Sequence, residues 1–157
     1  MNKTDLDAIP WTPQFSPKGK FGVFRKNLSE AAGGKKDAGT HAEGHPFDIE
    51  LVRLPPEKIN WPLHSHAAQW EAYIILSGHG RLRTQNEEHE IKAGDFLVLP
   101  PGEAHQMSND GEEDLTYYVI ADNPPADVIY YPDSQKYFIK PARKVFAIEA
   151  DYFDGEE

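Results

Sequence analysis

Two stretches of the chain combine histidines and a carboxylate at spacings that suit a metal ion. The first, P-L-H-S-H-A-A-Q-W-E-A-Y, carries His64, His66 and Glu71, and the second, L-P-P-G-E-A-H-Q-M, carries His105. Successive side chains alternate between the faces of a β-strand, so His64 and His66 point the same way and can share one ion. Imidazole and carboxylate are ordinary ligands of divalent transition metals.

The elements that carry these residues must turn between them. Glu71 is an odd number of positions from both histidines, so on one uninterrupted strand it would face away from them. We therefore expect a break at residues 67–69, with Glu71 opening the next strand. A second turn is predicted where two prolines end a buried strand and Gly102 permits a positive φ, and His105 follows it.

These residues resemble the two sequence motifs of the cupin family. The first motif is matched by His64, His66, Glu71 and Gly78, and the second by Gly94, Pro100, Gly102, His105 and Asn109. Lys58 stands where the first motif has its leading glycine. The resemblance implies an all-β fold, a double-stranded β-helix or jelly-roll barrel, that holds one divalent metal ion on His64, His66, Glu71 and His105.

The metal chemistry leaves the ion's identity open. Three imidazoles and one carboxylate would saturate a four-coordinate zinc ion, whereas a six-coordinate ion keeps two positions for water or substrate. Iron, manganese, nickel, cobalt, copper and zinc all accept these ligands, and the affinity order alone does not choose among them.

The strand pattern divides the chain into three stretches. Residues 1–46 read as an irregular N-terminal arm with one strand near residues 21–24, and residues 47–125 as the barrel. Residues 126–157 add two apolar segments and an acidic tail, expected on the barrel exterior. The barrel strands are expected at residues 47–54, 61–66, 71–77, 80–84, 88–92, 95–99, 105–108 and 115–121.

Composition excludes several classes of protein. The formal net charge of -10 argues against nucleic-acid binding, which needs clustered lysine and arginine. With no cysteine, no disulfide is possible. No apolar run approaches the ~20 residues of a membrane span, and the N-terminus lacks the apolar core of a signal peptide. We therefore expect a cytoplasmic protein of one domain that binds no membrane.

Strand 71–77 carries bulky apolar side chains on both faces, with Tyr73 and Ile75 on the side of the glutamate and Ile74 and Leu76 opposite. The outward face must be covered, because exposed aliphatic strands favour aggregation. We expect a homodimer, and the alternative is that the chain's own arms provide the cover.

The function predicted from the sequence is that of a metal-binding protein acting on a small oxygenated molecule. Tyr73 and Gln69 are candidates to assist catalysis, and Trp61, Met107 and Tyr118 are candidates to contact the ligand. A dioxygenase is preferred, because it needs only a metal ion, a substrate and a mostly apolar pocket. An isomerase or epimerase of a sugar-like substrate would need a proton carrier, and no free carboxylate besides Glu71 is expected inside. The remaining alternative is a non-catalytic protein that binds or senses a small ligand.

Overall fold

The computed structural model describes residues 1–36 and 38–147, in which short strands dominate. The strands are β1 (Thr12–Phe15), β2 (Gly22–Asn27), β3 (Phe47–Leu54), β4 (Ser65–His66), β5 (Glu71–Ser77), β6 (His79–Thr84), β7 (Glu88–Lys92), β8 (Phe96–Leu99), β9 (His105–Ser108), β10 (Leu115–Asp122), β11 (Asp127–Tyr131), β12 (Lys136–Lys140) and β13 (Lys144–Phe146). One helical turn, α1 (Leu28–Ala31), and a 3-10 turn (Thr40–Ala42) complete them. The all-β expectation is confirmed.

The strands form two layers. One is a six-stranded sheet in the order β1-β2-β3-β10-β5-β8. The other combines β13-β12-β11-β4 with β7-β6-β9, because reciprocal backbone hydrogen bonds between His64 and His105 join β4 to β9. This bridge brings two of the expected metal ligands side by side.

The core lies between the layers and draws on both. Val52, Tyr73 and Tyr117 come from the six-stranded sheet, and Leu82 and Met107 come from the other layer. All are almost completely buried. Apolar burial of this kind is the main favourable term in folding, and it fixes the two sheets face to face.

Turns place the ends of the site strands as the sequence indicates. Gly102 adopts a φ of 89° between β8 and β9. Gly78, between β5 and β6, has a φ of 78°, and a Cβ there would lie 2.6 Å from the carbonyl oxygen of Asp114. A side chain at Gly78 is therefore excluded both by backbone conformation and by space.

The N-terminal stretch contributes more to the barrel than the sequence indicates. Its two strands, β1 and β2, extend the six-stranded sheet through β3, and Val23 of β2 is part of the core. The sequence predicts only part of β2, because prolines and glycines interrupt the apolar pattern on both sides of β1. The strand expected at residues 61–66 is shorter, with only Ser65–His66 paired as β4.

The C-terminal stretch is also built into the fold. β11 pairs with β4, opposite His66, and so extends the second layer instead of lying over the outside of the barrel. The acidic end at residues 151–157 falls outside the described residues. Within residues 1–36 and 38–147, no helix is long and apolar enough to cross a membrane.

Candidate metal centre

Each of the three histidine rings is oriented by a hydrogen bond at its Nδ1 atom. The partners of Nδ1 are the Pro62 carbonyl oxygen for His64 (2.9 Å), Asp127 Oδ2 for His66 (2.6 Å) and the Glu103 carbonyl oxygen for His105 (3.0 Å). Carbonyl and carboxylate oxygens only accept, so Nδ1 carries the proton in each ring. The Nε2 atoms are left with their lone pairs for a metal ion.

Glu71 opens β5 and brings its carboxylate to the same place. Its Oε1 lies 3.5 Å from His66 Nε2, and its Oε2 lies 2.8 Å from His105 Nε2. The ligand atoms of His64, His66 and Glu71 all lie within 4.8 Å of one another. A carboxylate oxygen facing an imidazole lone pair needs a cation between them, and a divalent metal ion meets that need.

Tyr73 completes the surroundings of the carboxylate. Its hydroxyl donates to Glu71 Oε2 at 2.5 Å and lies 3.3 Å from His105 Nε2. Burial and the neighbouring charge of Glu71 raise the pKa of Tyr73 well above its usual value, so the phenol keeps its proton at neutral pH. Tyr73 therefore acts as a hydrogen-bond donor that orients Glu71.

The protonation states of His64 and Glu71 favour binding of a cation. Burial lowers the pKa of His64 to about 3, with help from the nearby His105, so His64 is a neutral ligand across the physiological range. Burial alone would raise the pKa of Glu71, but the close approach of the His105, His66 and His64 rings holds it below the usual range. Glu71 is therefore ionised.

Asp127 is a member of the site that the sequence analysis missed. It begins β11, is buried, and accepts from the Ala68 backbone N–H (2.8 Å) as well as from His66. Burial opposes ionisation, yet these two hydrogen bonds hold the pKa of Asp127 below its usual value. It lies 61 residues from His66 in the chain, so only the pairing of β11 with β4 reveals the contact.

A cavity of about 540 Å³ opens beside the three clustered ligands. Of the candidates for catalysis and ligand contact, Tyr73, Gln69 and Trp61 line it. Met107 is completely buried in the core, and Tyr118 lines a different cavity, beneath the N-terminal arm. Tyr118 was misplaced because β10 carries bulky side chains on both faces, so its sequence does not reveal which face is inward.

The same cavity wall is strongly charged. Its cationic side chains are Arg25, Lys36, Lys136, Lys140 and Arg143, and its carboxylates besides Glu71 are Asp48 and Glu50. None of these was identified from the sequence. Asp48 and Glu50 are both buried on the inward face of β3, and Glu50 is paired with Arg25 and Lys36.

The family comparison agrees with this architecture. Residues 50–121 match the Cupin_2 family model, described as cupin domain. The chain contains a cupin domain. The match contains all four predicted ligands and six complete strands, from β4 to β9.

Solved structures extend the likeness beyond the matched domain. This cupin superposes on a sugar phosphate isomerase of the cupin superfamily from Silicibacter pomeroyi with a TM-score of 0.76 and 25% identity, covering 96% of this chain and 94% of that one. It superposes on a predicted oxalate decarboxylase from Thermotoga maritima with a TM-score of 0.60 and 27% identity, over 75% of this chain and 96% of that one. The jelly-roll fold is thereby confirmed.

A curated relative is similar over a shorter stretch. The oxalate-binding protein of Thermotoga maritima is 35% identical to this cupin over 69 residues, which are 44% of this chain and 56% of the relative. The chain spans about half the length of the curated relatives that it matches, between 40% and 56%.

Proposed function

We propose that this cupin is a metal-dependent isomerase that moves a proton between adjacent carbons of a small sugar-like molecule. The observation that carries the proposal is Glu50, a second buried carboxylate on the wall of the cavity that contains His64, His66 and Glu71. Isomerisation needs such a group to carry the proton. The preference for a dioxygenase depended on the expectation of a mostly apolar pocket without a free carboxylate besides Glu71.

The metal ligands in the proposal are His64, His66, Glu71 and His105. The hydrogen bonds at Nδ1 leave the Nε2 atoms of the three histidines available, and together with the Glu71 carboxylate these atoms suit a divalent ion. A divalent ion held by these residues would supply Lewis-acid chemistry to a substrate carbonyl and the neighbouring hydroxyl.

The protein's own residues would carry the proton. Glu50 accepts the proton from the carbon that bears the hydroxyl group, and the electron pair of that C–H bond moves into the carbon framework to give an enediolate. Glu50 then returns the proton to the adjacent carbon while the hydroxyl proton moves to the former carbonyl oxygen, so no oxidant, reductant or net proton is needed. Glu50 lines the same cavity as His64, His66 and Glu71, which supports a position of its carboxylate near the metal ligands.

The likeness to a protein named sugar phosphate isomerase supports this reaction class, because it extends over nearly the whole of both chains. The similarity to the oxalate-binding protein favours a second candidate, a cupin that binds a small carboxylate without turnover. The two functions differ in whether a carbon-bound proton exchanges.

Proton exchange with solvent tests the proposal. Metal-loaded protein is incubated in D₂O with a panel of aldoses, ketoses and their phosphates, and deuterium incorporation beside the carbonyl is followed by NMR. We expect exchange with at least one substrate, and its loss in Glu50→Gln with metal content unchanged. Glu88→Gln, on the exposed face of β7, is the matched control.

Other outcomes would overturn the proposal. Exchange that persists in Glu50→Gln rejects Glu50 as the base. Oxygen consumption with a substrate that shows no exchange would indicate a dioxygenase, and saturable binding with neither reaction would indicate the non-catalytic alternative.

A further inference from the structure

The cavity has a charge opposite to that of the chain. The protein carries a formal net charge of -10, yet five cationic side chains and only three carboxylates line this wall. A divalent ion at the centre would add two further positive charges. Such a cavity attracts anions, because clefts lined by one sign of charge concentrate ligands of the other sign.

Two of the cations are held by a carboxylate of the protein itself. Arg25 Nη1 lies 3.4 Å from both carboxylate oxygens of Glu50, and Lys36 Nζ contacts Oε1 of the same group. Asn27 Nδ2 donates to that oxygen at 3.3 Å. Glu50 is buried, whereas the side chains of Arg25 and Lys36 are about one quarter exposed, at 26% and 27%.

The contacts to Arg25 are long for a charged pair. Arginine commonly makes two parallel bonds of about 2.7–2.9 Å to a carboxylate or phosphate. Here one guanidinium nitrogen serves both oxygens at 3.4 Å, so most of the donors of Arg25 are not used by Glu50. An incoming anion can therefore engage Arg25 and Lys36 from the cavity side.

We infer that Arg25 and Lys36 form a subsite for the phosphate group of a phosphorylated substrate, with Glu50 occupying part of that subsite when no anion is bound. The inference rests on the proposed function, since it places the reacting carbons between the metal ligands and these cations. Lys136 faces the same cavity from β12, on the other layer. The cavity volume of about 540 Å³ is of the size that holds small-molecule ligands.

The arrangement also links binding to the proton carrier. If a phosphate group binds Arg25 and Lys36, the Glu50 carboxylate loses both of its cationic partners. The phosphorylated substrate would thus free the Glu50 carboxylate to face the reacting carbons, and an unphosphorylated analogue would bind more weakly and react more slowly.

Calorimetric titration of the metal-loaded protein with inorganic phosphate and glycerol 3-phosphate tests the subsite, with glycerol as the uncharged probe. We expect both anions to bind and glycerol not to bind. Arg25→Gln should weaken anion binding about 10- to 100-fold, the range expected for one charged hydrogen-bonding partner. Lys92→Met, on the exposed side of β7, removes one positive charge outside the cavity and should leave binding unchanged.

Glu50→Gln has the opposite expected effect, because it removes the carboxylate that competes with phosphate for Arg25 and Lys36. Anion binding should become tighter while proton exchange is lost. Phosphate binding that is insensitive to Arg25→Gln, or weaker in Glu50→Gln, would overturn the subsite and point to binding at the metal. If phosphate binds as expected but no substrate shows proton exchange, the isomerase is rejected and the phosphate subsite is retained.

Discussion

Asp127→Asn is the substitution that most specifically tests how the metal ligands are held. The asparagine side chain has almost the same shape, and its carbonyl oxygen can still accept the Ala68 N–H, which Asp127 Oδ1 now accepts at 2.8 Å. Its amide nitrogen would then face His66 Nδ1, which lies 2.6 Å from Asp127 Oδ2. Because an amide N–H donates, Nδ1 must become the acceptor, and the proton moves to the metal-facing Nε2.

The size of the effect follows from that change of tautomer. His66 must return its proton to Nδ1, without an acceptor there, before it can bind a metal ion. Loss of a partner of this kind reduces metal affinity about 10- to 100-fold. That corresponds to about 1.4–2.8 kcal/mol, and the loss of one hydrogen bond to a charged group lies in the same range.

Competition with a calibrated chelator measures the metal affinity of both proteins, and ¹⁵N NMR of the histidine rings reports the tautomer. Asp133→Asn is the matched control, because Asp133 is exposed and pairs with Arg83 outside the site. We expect the control to bind metal like the unaltered protein. Equal affinity in Asp127→Asn, with the Nδ1–H tautomer retained, would refute the role given to Asp127.

Three further predictions concern the core of the site and the outer surface. Tyr73→Phe removes the hydrogen-bond donor to Glu71 and should lower metal affinity by less than about tenfold without unfolding the protein. A larger loss of affinity would indicate that Tyr73 binds the metal ion directly. The metal-free protein should lose up to roughly 5 kcal/mol of stability between pH 6.5 and pH 3, because unfolded His64 binds a proton in that window and the folded residue does not; denaturant titrations that are flat across this range would contradict this. Phe96 and Val98 lie exposed on β8, so light scattering should report a dimer that Phe96→Glu converts to monomer, and a mass unaffected by the substitution would place the interface elsewhere.

The ligand set could be predicted from the sequence because it depends on local geometry. The alternation of a β-strand aligns His64 with His66, and the interruption after His66 allows Glu71 to turn inward, as found between β4 and β5. Gly102 supplies the turn that leads to His105. These features are encoded within a few residues of each ligand.

The charged wall could not be predicted, because both faces of β3 are covered. The pattern F-D-I-E-L would ordinarily place Asp48 and Glu50 towards solvent and Ile49 inward. Instead, Ile49 lines the cavity beneath the N-terminal arm, and the carboxylates face the interior, where Lys36 and Arg25 compensate Glu50. These contacts join residues far apart in the chain, which strand periodicity does not specify.

The metal content of protein purified without a histidine tag tests the central claim most directly. The account predicts close to one divalent ion per chain by elemental analysis, and its loss when His64 and His66 are both replaced by alanine. Full occupancy in the double variant, or no metal in the unaltered protein after growth with each candidate ion, would contradict it.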